Sequence, residues 1–196
     1  MLKKFITKTF FQVPEKPPEA EMEDIPSETD LAAKLLIAST AIMPMSQEEA
    51  RVVVGYMQPQ TIAQDTIFIR QGDSRDTGFM LLLLDGEVTV ENIVVSRIEP
   101  ITISVLGPGS LIGELGLVDG EPRYASCIAS TPVHCLVLTR QALQQLVRDN
   151  PTIAAKFLLA ITSRIAARLR DNTDKLKMYV QLTQAMQQEL SARSTF

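Results

Sequence analysis

The residues whose types and spacing can do chemistry are concentrated between Gly109 and Ser126, where the chain reads Gly-Ser-Leu-Ile-Gly-Glu-Leu-Gly-Leu-Val-Asp-Gly-Glu-Pro-Arg-Tyr-Ala-Ser. Gly109 and Gly113 allow tight turns and a close approach of a ligand to the backbone. Glu114 to Val118 is the right length for one short helix, whose first amides have no intrahelical acceptor and attract an anion. Asp119-Gly120 closes that turn, and Pro122 stiffens the approach to Arg123. A guanidinium closing over a phosphate at the helix start neutralises it by dipole and by charge. The carboxylate of Glu114 repels a phosphate at close range, so it is suited to a hydroxyl. A sugar hydroxyl beside a phosphodiester meets both requirements.

A purely structural reading of the same residues stands beside this one. Arg123 can pair with Asp119 or Glu121, and Glu114 can simply complement the dipole of its helix. Neither reading makes an enzyme. The lone histidine, His134, lies in a β-rich run beside Cys135, with no second histidine to complete a metal site. Glu114 and Arg123 can hold a diester, but nothing activates water to cleave it. We therefore expect no catalytic residues and no metal.

Three zones position this segment. Residues 1–30 read as a flexible tail: Lys3, Lys4 and Lys8 interleave with Phe5, Phe10 and Phe11, and a Pro- and Glu-rich stretch follows. Such a stretch buries too little apolar surface to offset the cost of ordering. The tip can dock on an acidic partner, on a membrane surface or back on the protein itself; ten residues are a poor amphipathic anchor, which favours the last. Residues 31–150 read as the main domain. Leu31, Leu35, Leu36 and Ile42 share a helical face, and Ser46-Gln-Glu-Glu49 is a capping box opening a helix from Gln47 to about Tyr56. From about 60 to 138 the pattern is β: Thr66–Arg70, then Phe79–Leu84 and Glu87–Glu91 read as a hairpin about Asp85-Gly86, then Ile101–Val105, then Tyr124–Ala129 and Val133–Leu138 as a last strand pair. Many short strands with Gly and Pro turns indicate a jelly roll or related barrel. Thr139 caps a helix to Asn150. Residues 151–196 read as one long helix opened by Pro151, with a seam at Ile165, Leu169, Asn172, Leu176, Tyr179, Thr183, Met186 and Leu190. That seam packs lengthwise on its own domain or on a partner helix; its length favours a homodimer through residues 151–190.

The net charge of −4 argues against general nucleic-acid binding. No secretory signal is evident and no apolar run is long enough for a membrane span. Cys127 and Cys135 read as buried free thiols, which together place the protein in the cytoplasm.

The segment Gly113-Glu-Leu-Gly-Leu-Val118, with Pro122-Arg123 and Ala125-Ser126, resembles the phosphate-binding cassette of cyclic-nucleotide-binding domains, as in the catabolite activator protein, protein kinase A regulatory subunits and nucleotide-gated channels. The flanks Arg70-Gln-Gly-Asp73, Asp85-Gly-Glu-Val88 and Val105-Leu-Gly-Pro-Gly109 match in order, so the resemblance covers roughly residues 40–177. It implies an α+β fold: a β jelly-roll barrel flanked by N-terminal helices and a long C-terminal helix. It also implies that Arg123 pairs with the exocyclic phosphate oxygens and that Glu114 accepts from the ribose 2′-hydroxyl. Gly113, Leu115 and Ala125 would complete the cradle, with the Ser126 hydroxyl nearby. Ala166-Ala-Arg-Leu169 looks like the activator's stretch before its base contacts, which implies Asn172 and Thr173 against the base. The departures are Tyr124, where the family usually has a small residue, and a somewhat long loop between Gly72 and Gly86. A threonine at the Tyr124 position accompanies cGMP preference, so the expected ligand is cAMP, ahead of cGMP or a cyclic dinucleotide. Activator-type relatives follow the long helix with a winged helix-turn-helix. Here Phe196 follows directly, so we expect no DNA contact and an output through the long helix to an unidentified effector protein. The alternative is a non-binding scaffold or docking module built on the same fold.

Overall fold

The computed structural model describes residues 26–37, 42–92 and 101–193. The basic, aromatic tip and most of the acidic tail lie outside them. Among the described residues two helices come first, α1 (Pro26–Ile37) and α2 (Gln47–Val54). Eight strands and one short helix follow: β1 (Gln58–Ile62), β2 (Ile67–Ile69), β3 (Phe79–Asp85), β4 (Val88–Asn92), β5 (Ile101–Leu106), β6 (Leu111–Ile112), α3 (Glu114–Asp119), β7 (Ser126–Ala129) and β8 (Val133–Thr139). Two helices close the chain, α4 (Arg140–Asp149) and α5 (Pro151–Arg193).

The strands form two four-stranded antiparallel sheets, β1-β8-β3-β6 and β2-β7-β4-β5. They are stacked as a jelly-roll sandwich and are not closed into a barrel, which corrects that expectation. The hairpin about Asp85-Gly86 and the last strand pair are corrected with it, because β3 pairs with β8 and β4 pairs with β7. The chain makes two long antiparallel arms, β3–β4 and β7–β8, each bent at a corner so that half lies in either sheet. The corners are joined: Ser130 N–H donates to Glu87 O at 2.9 Å and Glu87 N–H donates to Thr131 Oγ1 at 2.9 Å. Gly86, at φ +92, leaves no room for a side chain, since a Cβ would stand 2.4 Å from Pro132 O. A turn signal marks where the chain bends, and the packing of both faces decides what it then pairs with.

Burial explains why β3 is an unbroken apolar run. Phe79, Leu81 and Leu83 point between the sheets with Val88, Val90, Cys127, Val133, Cys135 and Val137. Met80, Leu82 and Leu84 point the other way, with Leu136 and Leu138, onto the helices. Alternation along a strand covered on both faces yields two cores rather than one polar face. Cys127 and Cys135 sit in different sheets, both buried and both free thiols.

The second core is closed by Leu36, Val53, Leu146, Phe157 and Ile161 from the four long helices. The capping box is formed: Ser46 Oγ accepts from Glu49 N–H at 3.2 Å and Glu49 Oε2 accepts from Ser46 N–H at 2.8 Å. The other oxygen of Glu49 takes Lys156 Nζ at 2.6 Å, fastening α2 to α5. Thr139 caps α4 through Ala142 N–H at 3.2 Å. At the α4–α5 joint, Tyr56 donates to Asp149 Oδ2 at 2.8 Å and accepts from Asn150 Nδ2 at 3.2 Å. Helix α1 starts at Pro26, five residues inside the expected tail, with proline at the first helical position and Glu28 in the first turn. Its buried face is Ala32, Ala33 and Leu36; Leu31 is half-exposed and Ile42, past the helix, is 92% exposed. Leu35 and Leu36 of the expected face do pack on the core, and the small alanines let α1 lie close on its neighbours, so the buried face takes in Ala32 and Ala33 in place of Leu31 and Ile42.

Candidate functional site

The cassette hangs between β6 and β7. Gly113 at φ +83 turns the chain out of β6, α3 makes its short excursion, and Gly120 at φ +76 ends it. The return is pinned to the turn after β2: Arg123 N–H donates to Asp73 O at 2.9 Å, and Gly72 N–H donates to Arg123 O at 2.7 Å. This brings Arg123 back under α3.

Arg123 is only 5% exposed. Its Nη1 donates to Gly113 O at 2.8 Å, its Nη2 to Phe79 O at 2.9 Å and Asp76 O at 3.1 Å, and its Nε to Asp76 O at 3.3 Å. The guanidinium also stands 4.5 Å from the centre of the Phe79 ring, within cation–π range. The bonds expected of a structural arginine, to Asp119 or Glu121, are not the ones it makes; Asp119 Oδ1 instead accepts from Glu121 N–H at 3.0 Å. Burial lowers the Arg123 pKa, with nearby Asp76 opposing that shift, while burial raises the Asp76 carboxyl. The glycines of the cassette serve this side chain: a Cβ at Gly113 would lie 2.8 Å from Arg123 Nη1, and one at Gly116 would lie 2.9 Å from it. The long loop between Gly72 and Gly86 has a use here as well. It supplies Asp76 O, and its Thr77 hydroxyl donates to Gly120 O at 3.3 Å.

Glu114 opens α3 and is also buried, at 4% exposure. Its Oε1 pairs with Arg168 Nη1 at 2.7 Å, and Arg168 Nη2 donates to Leu111 O at 3.2 Å. Gly113, Glu114, Leu115, Arg123, Tyr124, Ala125 and Arg168 come together on one pocket of about 180 Å³, with Ile69, Val90, Leu106, Ile112 and Cys127 forming its apolar wall. Tyr124 stands half-exposed at the rim; removal from water raises its phenol above the ordinary value, and Arg168 opposes that rise. Burial pushes the Cys127 thiol up to about 12, so it is neutral in the cell's pH range and no nucleophile. Among the described residues, no three His, Cys, Asp or Glu side chains are grouped to hold a metal ion.

Three sequence-selected residues are placed otherwise. The Ser126 hydroxyl accepts from Gln71 N–H at 3.0 Å, holding the end of β2 rather than lining the pocket. Asn172 and Thr173 are exposed, and Thr173 Oγ1 donates to Leu169 O at 2.8 Å. The α5 residue on the pocket is Arg168, one turn earlier. Sequence reasoning passes over it, although Arg164 and Arg168, four apart on the domain-facing part of the helix, are a readable signal.

Residues 59–150 match the family model of the cyclic nucleotide-binding domain. A crystal structure of a cyclic nucleotide-binding domain from Methylobacillus flagellatus superposes with a TM-score of 0.70 at 33% identity, covering 76% of this chain and 82% of that one. The cyclic AMP receptor protein of Thermus thermophilus is 29% identical over 127 residues, 65% of this chain and 56% of its own length. A cyclic nucleotide-gated potassium channel of Mesorhizobium japonicum is 31% identical over 105 residues, 54% of this chain but 27% of the channel. The chain thus spans between a quarter and just over half the length of these two relatives. The chain belongs to the cyclic nucleotide-binding domain family.

Proposed function

We propose that this protein is a cyclic-nucleotide sensor that works in the cytoplasm, takes cAMP, and signals through protein contacts of α5. The observation that carries the reading is Arg123: a permanent cation, 5% exposed, whose bonded partners are backbone carbonyls rather than a carboxylate. The carboxylates of Asp76, Asp73 and Glu114 lie near enough to act on its charge but are not among these bonded partners, and an anion seated against a buried guanidinium is stabilised strongly. The phosphate of a cyclic nucleotide supplies one, and Glu114 on the same pocket accepts from the ribose 2′-hydroxyl. The apolar wall of Val90, Leu106 and Ile112 receives the rest of the molecule. Tyr124 occupies the position where threonine would favour cGMP, and the Thermus relative is a cyclic AMP receptor protein. Both support cAMP over cGMP or a cyclic dinucleotide.

The output rests on α5. Leu169, Leu176, Tyr179 and Met186 repeat at heptad spacing and are 57–66% exposed, a face suited to the same face of a second copy or to an effector protein. Among the described residues no helix is long and apolar enough to cross a membrane.

Calorimetric titration with cAMP, cGMP and 5′-AMP, run beside Arg123→Ala, tests the reading. One cyclic nucleotide binds, 5′-AMP does not, and the variant loses on the order of 2–5 kcal/mol of affinity. Folded protein that takes up no cyclic nucleotide returns the chain to a second reading, a scaffold on the same fold. The engagement of Glu114 by Arg168 is the observation that favours it.

A further inference from the structure

The outer face of the sheet β2-β7-β4-β5 carries an apolar row that crosses all four strands. Val88, Val90, Cys127 and Ala129 point into the sandwich. Alternation therefore turns Thr89 and Ile128 outward, with Glu87 and Glu91 on the same side as Thr89, one before it and one after. The register lines these positions up: Ile67 lies opposite Ile128, Ile128 opposite Thr89, and Thr89 opposite Val105. Ile67 and Val105 are exposed, and so is Ile103 on the same strand as Val105. Single apolar side chains scattered over a surface mean little, but a row in register with a carboxylate on either side suits a segment that is both apolar and basic. Through Val90 and Cys127 the inner faces of β4 and β7 line the pocket, so the row lies on the back of the pocket wall.

We infer that the chain's own N-terminal tip, Lys3 to Phe11, docks on this row. Phe5, Phe10 and Phe11 supply the apolar side chains that the row lacks above it, and Lys3, Lys4 and Lys8 supply the charge opposite to Glu87 and Glu91. The reach is sufficient. Helix α1 begins at Pro26 and is buried, through Ala32 and Leu36, with Met80 and Leu82 on the helix side of the other sheet. Residues 12–25 lie between Phe11 and that helix, and extended they span up to about 46 Å, at about 3.3 Å per residue. The layers they have to round are a sheet spacing of about 10 Å and a helix about 10–12 Å across. The tether also holds this tip at a local concentration that the tip of a second copy does not reach.

Zero-length carbodiimide coupling of the full chain, which joins an amine only to a carboxylate it touches, tests the docking. An equal mixture of unlabelled and isotope-labelled protein separates coupling within a chain from coupling between chains. Lys3, Lys4 or Lys8 is expected to couple to Glu87 or Glu91 within one chain. Phe10→Ser with Phe11→Ser lowers that yield about tenfold, the scale of one aromatic side chain returned to water. Val105→Lys, which sets a like charge in the row at an exposed position, lowers it from the other side of the contact. Failure of these lysines to couple to Glu87 or Glu91, or a yield undiminished in the phenylalanine variant, overturns the docking. Coupling found only between chains gives the face to the tip of a second copy and overturns it likewise. Each of these outcomes is read without nucleotide, so the sensor reading stands or falls separately.

Discussion

The two halves of α5 share one sequence rhythm and meet opposite fates. Up to Arg168 the helix is a wall of the domain: Ala154, Phe157, Ala160 and Ile161 are buried against the sheet and the other helices, and Arg164 and Arg168 are bonded to the cassette. From Leu169 onward the apolar residues continue at the same spacing, but every described side chain is exposed. A helix of 43 residues extends about 65 Å, longer than the sandwich it lies on can cover. Apolar periodicity announces that a face wants covering and says nothing about what covers it. In the first half the domain does so; in the second the described face stands exposed.

The sharpest way to test that contrast is to cut the same kind of side chain from each half. Phe157→Ala, at 0% exposed, is expected to cost about 3–5 kcal/mol in denaturant unfolding. The cassette beside the packed half is the next most sensitive place. Gly113→Ala combines a strained φ of +83 with a Cβ 2.8 Å from Arg123 Nη1, and is expected to lose roughly 1–3 kcal/mol of stability and to weaken nucleotide binding. Unchanged stability and binding in that variant would show that Arg123 has room to move. In the distal half, Leu176→Glu with Tyr179→Glu is expected to change monomer stability by no more than about 0.5 kcal/mol, while converting a dimer to a monomer by sedimentation. A chain that is already monomeric before substitution would leave the distal face to an effector protein alone.

The smallest effect expected at neutral pH comes from the thiols. Burial pushes Cys127 and Cys135 up to about 12, above their unfolded value near 9. Their neutral form is favoured in the folded state, so their contribution to stability is fully present below pH 9 and is lost as pH rises toward 12. Alkylation at pH 7–8 should be slow and should accelerate only with unfolding. Fast labelling of Cys127 alone would mean that the pocket opens further than its wall suggests.

Much of the site is legible in the order of residues alone. The Ser46 and Thr139 caps, the Pro151 start and the cassette between Gly113 and Ala125 depend on residues close in sequence, and local backbone chemistry specifies them. Strand pairing is not legible in this way. The Asp85-Gly86 turn suggests a hairpin, yet β3 is apolar on both faces and is most stable at the centre of a sheet, with β8 on one side and β6 on the other. Arg123 stands out by type and spacing, but its partners, the carbonyls of Gly113, Asp76 and Phe79, lie up to 47 residues away and follow from how the loop wraps the cassette. The family resemblance implies Asn172 and Thr173 against the base, and the α5 side chain that lines the pocket in this structure is Arg168. A shift of one turn along a helix costs nothing in periodicity, and only the seating of Phe157 and Ile161 in the core sets it. Which residues turn, cap and carry charge is written in the chain itself, because those properties act over a few neighbours. Which charge faces which is settled by the tertiary packing, because that depends on how two cores divide the same strands between them.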